Sequence, residues 1–91
     1  MAKVLVIVKI YPSDVDVDLE KLAETIKARL PEGYELAGSQ AEPIAFGLKA
    51  LRLQIVMPEE TEGGTSRIEE MLGGVEGVQE FEVEAVHRLS F

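Results

Sequence analysis

Cysteine, tryptophan and asparagine are missing from this 91-residue chain, and histidine occurs once. Without cysteine there is no disulfide, no thiolate metal site and no thiol nucleophile. One imidazole, His87, with no second ligand or nucleophile near it in sequence, makes neither a triad nor a convincing metal site. No stretch approaches the roughly 18 apolar residues of a membrane span. The segment from Met1 to Tyr11 has lysines within it and reads as a strand, not as a signal peptide. A soluble, cytoplasmic protein without cofactor or metal is the simplest expectation.

Positive charge is also scarce. Nine Lys and Arg stand against 17 Asp and Glu, for a net charge of −8. Such a surface repels phosphate backbones and anionic lipid, which argues against direct nucleic-acid or membrane binding. It suits a protein partner with a basic surface, or simply serves solubility. The missing Asn and Cys, with plentiful Glu, point mildly to a thermophile. At this length there is room for one core, and the chain buries about 60–65% of its unfolded surface without needing staples.

The pattern that is present alternates strands and helices. Residues Lys3 to Tyr11 (KVLVIVKIY) are dominated by β-branched side chains, with Val4, Val6, Val8 and Ile10 on one face. Asp16 or Asp18 can cap the next helix, whose apolar stripe is Leu19, Leu22, Ala23, Ile26 and Leu30. Pro31 and Gly33 stop it. Tyr34 to Gln40 is a weaker strand, and Gly38 suggests an edge or a bulge. A turn at Pro43–Gly47 precedes a strong strand, Leu48–Met57, with Leu51, Leu53 and Ile55 on its core face. After an acidic loop, Thr65 caps a short helix that turns Ile68, Met71, Leu72 and Val75 inward. The last strand is Val78–Arg88, read with Phe81, Val83 and Ala85 inward. Its glutamates Glu80, Glu82 and Glu84 then face Lys3 and Lys9 across the sheet.

The order β-α-β-β-α-β, with right-handed crossovers, gives an α+β ferredoxin-like sandwich. Its four-stranded antiparallel sheet has the order 4-1-3-2, with both helices on one face. The most apolar strands, the first and third, then lie centrally. The turn before the third strand falls at the end of the sheet that holds Tyr11 and Pro12. The C-terminus falls at the other end, near Ala2 and Lys3, roughly 30 Å away.

Sites for chemistry are few. Asp14-Val15-Asp16-Val17-Asp18 resembles a calcium loop only briefly, since the positions needing Gly and Glu hold Leu19 and Thr25. Gly63-Gly64-Thr65-Ser66 lacks the lysine and spacing of a phosphate loop. The open sheet face offers Leu5, Ile7, Arg52 and Gln54 rather than the stacking aromatics of an RNA-binding sheet. Two exposed features remain. Phe46, in a turn beside Gly47, either plugs the end of the core or anchors a partner. The tail Ala85-Val86-His87-Arg88-Leu89-Ser90-Phe91 ends the chain with one arginine.

The run PIAFGLKALRLQIVMP, the VDLEKLAETIK helix, the acidic loop with Gly64-Thr65 and the terminal HRL together resemble the archaeal translation elongation factor 1-beta family. The most specific part is Pro43 to Lys49. The resemblance covers the whole chain, 1–91, as one guanine nucleotide exchange domain. It implies binding to the elongation factor 1-alpha GTPase and exchange of its GDP for GTP, with no covalent chemistry on the factor. It also implies a partner surface at Ile44, Phe46, Gly47 and Lys49, extended by His87, and an exchange-promoting tail at Arg88 and Leu89. In eukaryotic relatives the tail residue reaching the Mg²⁺ site is Lys; here it is Arg88, and Ser90 and Phe91 extend the chain beyond it. The free protein is expected to be monomeric. The alternative is a ligand-sensing or oligomerisation module that associates through Leu5 and Ile7 on the open face, with no exchange activity.

Overall fold

Six elements follow one another in the computed structural model, which describes residues 3–45, 47–58 and 66–89. They are β1 (Lys3–Pro12), α1 (Leu19–Arg29), β2 (Glu35–Pro43), β3 (Lys49–Pro58), α2 (Ser66–Gly73) and β4 (Val78–Leu89). The strands form one sheet in the order β2-β3-β1-β4, all neighbours antiparallel. This is the expected order, with the two most apolar strands in the centre. A solitary strand face of Val and Ile is stable only when covered. Here Val6, Val8 and Ile10 meet Leu51, Leu53 and Ile55 in one buried cluster with Leu22, Ala23 and Ile26 of α1 and Ile68 and Leu72 of α2. Each fully buried Val, Leu or Ile contributes roughly 1.5–3 kcal/mol, so this cluster is the main source of stability.

Local signals set the helix boundaries. The Asp18 carboxylate accepts hydrogen bonds from the N–H groups of Glu20 and Lys21, at 3.0 and 3.3 Å. Of the two candidate caps, Asp18 is the one used. Leu30 ends α1 in an extended conformation, and Gly33 follows at φ +90°, where a side chain would strain the backbone. The Arg29 guanidinium donates to the Gly74 carbonyl at 3.3 Å, tying the last turn of α1 to the segment after α2. The expected Thr65 cap and the acidic loop before it lie outside the described residues.

Three expectations need correction or refinement. First, β2 runs on to Pro43 rather than stopping at Gln40, because its later residues pair fully with β3: Ala41 with Leu51, Glu42 with Ala50, Pro43 with Lys49. The irregularity expected at Gly38 is present, as a register shift between Leu36 and Gly38. Second, Ala85 is not inward. Val8 pairs with Val83 and Ile7 with Ala85, so Glu84 is an extra residue in β4, a bulge. Directly opposed residues share a face, so Ala85 goes with Ile7 to the open side. Third, Lys3 lies opposite Leu89 and Pro58, not opposite a glutamate. Lys9 does pair with Glu82 in register, while its ammonium lies 3.9 Å from Glu42. Arg52 and Glu84 also make an ion pair, at 3.5 Å, which spans β1.

Candidate functional site

The two ends of the sheet carry different chemistry. At one end β2 and β3 are joined by a tight turn. The Ile44 N–H donates to the Leu48 carbonyl, and the Leu48 N–H to the Ala45 carbonyl, both at 2.9 Å. These two backbone bonds close the loop. Gly47 sits at φ +79°, a conformation that costs a side chain strain, and a Cβ there would meet nothing within 4 Å. The glycine is therefore required by backbone conformation and not by crowding. Ile44 is 43% exposed, and Ala45, Gly47 and Lys49 are also exposed. Phe46, the aromatic on which the sequence reading turns, lies outside the described residues.

Beside this turn is an open groove of about 420 Å³. Gly47, Lys49 and Ala41 line it from the β2–β3 side, and the segment from Pro12 to Glu20, including Asp14, Val15, Asp18 and Glu20, lines it from the other. Val15 is 59% exposed. The topology expected from the sequence already places the turn before β3 at the end of the sheet that holds Tyr11 and Pro12; the groove shared with Val15 and Leu19 is the detail added by the structure. Only the antiparallel pairing of β1 with β3, which ends near Ile10 and Leu51, brings them to one place.

The opposite end gathers the tail. Arg88 pairs with Val4, His87 with Leu5 and Leu89 with Lys3. His87 and Arg88 are exposed and Leu89 is half-buried. Arg88 and His87 alternate, so they project from opposite faces of the sheet. Ile44, Gly47 and Lys49 are thus brought together at one end, and His87, Arg88 and Leu89 at the other. From Lys3 to Ile10 the ladder climbs about 23 Å between these ends. The Leu5 and Ile7 side chains on the open face are half-buried, so little of them is available as a patch.

The described residues hold no group of three or more His, Cys, Asp or Glu placed to bind a metal ion. No helix among them is long and apolar enough to cross a membrane.

Comparison with known proteins gives consistent results. The sequence pattern of the EF-1 guanine nucleotide exchange domain matches residues 5–89. Elongation factor 1-beta of Staphylothermus marinus is 62% identical over 90 residues, covering 99% of this chain and 100% of the relative. That of Ignicoccus hospitalis is 57% identical, covering 100% and 97%. That of Aeropyrum pernix is 58% identical, covering 98% and 99%. Among solved structures, the C-terminal domain of the MgtC protein from Mycobacterium tuberculosis superposes with a TM-score of 0.51 over 98% of this chain and 86% of that one. Its sequence identity is 15%, so the likeness concerns the fold alone.

Proposed function

Because the chain belongs to the EF-1 guanine nucleotide exchange domain family, we propose that it drives GDP-for-GTP exchange on elongation factor 1-alpha by gripping that GTPase at two separated points. The family match over residues 5–89 is the observation that carries this reading. The turn is the anchor: Phe46, with Ile44, Gly47 and Lys49 around it, docks on one part of the GTPase. The tail is the perturber: Arg88, flanked by His87 and Leu89, acts at the nucleotide site.

The physics is differential binding. A factor accelerates release only if it prefers the GTPase with its nucleotide loosened over the GDP-bound form. GDP is held largely by charge, through Mg²⁺ and the loops around the phosphates. A guanidinium brought near that site competes electrostatically with Mg²⁺ and stays charged at any physiological pH. No bond is made or broken on the factor, so it works without a nucleophile, a base or a bound cofactor. One domain spanning 1–91 is sufficient for both contacts.

The test is release of fluorescent GDP from elongation factor 1-alpha, measured against factor concentration. Phe46→Ala is expected to raise the concentration needed for half-maximal stimulation by about tenfold or more, as loss of an aromatic anchor does. Arg88→Ala is expected to lower the maximal rate with a smaller change in that concentration. If both variants stimulate release like the parent, the two roles are misassigned.

A further inference from the structure

The extra residue in β4 decides which side of the sheet the tail works from. Read without interruption, the alternation starting at Phe81 and Val83 puts Ala85 and His87 on the helix side and Val86 and Arg88 on the open side. The bulge at Glu84 reverses this. Beyond it, Val86 pairs with Val6 and Arg88 with Val4. Val6 is fully buried in the core and Val4 packs against it. Opposed residues share a face, so Val86 and Arg88 also lie on the helix side.

That corner is not covered as the rest of the face is. Val6 has no exposed surface, yet Val86 beside it is 55% exposed, among the most exposed large apolar residues described. Arg88 is exposed as well. The helix side of β4 therefore ends with Val86 and Arg88 both exposed to solvent. His87 and Leu89 turn to the open side with Leu5 and Lys3. A bulge commonly re-aims side chains in this way, because it adds one residue without breaking the pairing on either side.

We propose that the Glu84 bulge is a positioning device that presents Arg88 to the GTPase from the helix side of the sheet, and that Val86 is a further contact residue beside it. The inference rests on the reading of Arg88 as the exchange-promoting residue. The matching surface on the partner is an apolar rim next to a phosphate–Mg²⁺ site, so one patch takes both the valine and the guanidinium. Burying Val86 there is favourable, and holding Arg88 next to it limits the arginine's freedom before contact.

The test keeps composition and net charge constant. In the double variant His87→Arg with Arg88→His, the arginine moves one position and so changes face. Both sites are exposed, so the fold tolerates the exchange, and a thermal melt checks this. GDP release is measured for the parent, for Arg88→Ala, for the swapped variant and for Val86→Ser. The swapped variant is expected to stimulate no better than Arg88→Ala. Val86→Ser is expected to raise the half-maximal concentration by about fivefold, with the maximal rate nearly kept. Full stimulation by the swapped variant, beside a deficient Arg88→Ala, would overturn the face assignment alone. An unchanged half-maximal concentration for Val86→Ser would remove Val86 from the contact. Normal stimulation by Arg88→Ala would overturn the underlying reading, and the inference with it.

Discussion

At the scale of single residues, backbone conformation matters more than chemistry. Gly47 is the example. Its φ of +79° with open space around it means that any side chain fits but none is comfortable. Gly47→Val is expected to cost about 1–3 kcal/mol in denaturant unfolding, since β-branched residues are poorly accommodated there. It should also weaken GTPase binding, because the turn that presents Ile44 is distorted. A full-stability Gly47→Val protein would show that the turn relaxes into another form. The turn is legible in sequence from Pro43 and Gly47, and the topology places it at the Tyr11–Pro12 end of the sheet. The positive φ of Gly47 and the groove shared with Val15 are not, because they depend on how the loop closes and on which side chains line it. The ion pairs Lys9–Glu42 and Arg52–Glu84 are of another kind. Both are partly exposed, so each contributes at most about 1 kcal/mol.

Among the elements, helices were easier to read than strand edges. The α1 stripe of Leu22, Ala23 and Ile26 and the stop at Pro31 follow from local spacing. The Asp18 cap likewise satisfies two N–H groups that would otherwise lack partners. Asp18→Ala is expected to lower stability by about 1 kcal/mol, seen as a lower melting temperature. Strand β4 was harder. The run Glu80-Phe81-Glu82-Val83-Glu84-Ala85 alternates so regularly that sequence alone marks no extra residue. The bulge at Glu84 marks a change of register between β4 and β1, with Val83 opposite Val8 and Ala85 opposite Ile7; a second shift follows between Tyr11 and Pro12. Only the partner strand carries that information, so plain alternation puts Ala85 on the wrong face. The end of β2 was underestimated for a similar reason. Its residues from Ala41 to Pro43 are weak strand formers held in place by β3.

For the whole molecule, β3 and β4 both run antiparallel to β1, so the turn that starts β3 and the tail that ends β4 fall at opposite ends of the sheet. That separation makes the two contacts independent in a way that can be measured. If the turn is the anchor and Arg88 the perturber, as proposed, a chain with Arg88→Ala should occupy elongation factor 1-alpha without releasing GDP. Added in excess to the parent protein, it is expected to suppress stimulated release in proportion to its share of the mixture. Phe46→Ala, which lacks the anchor, should not suppress it. Suppression by both variants, or by neither, would count against two separable contacts. There is also a consequence for recognition. The hydrogen-bonded ladder between Lys3 and Ile10 does not stretch, so the distance from turn to tail is set by the number of residues in β1 and its neighbours. On the proposed two-contact reading the factor is a caliper of one fixed opening. A partner whose two contact points stand closer or farther apart would meet one jaw but not both, so the shape of the GTPase would be measured as well as its surface.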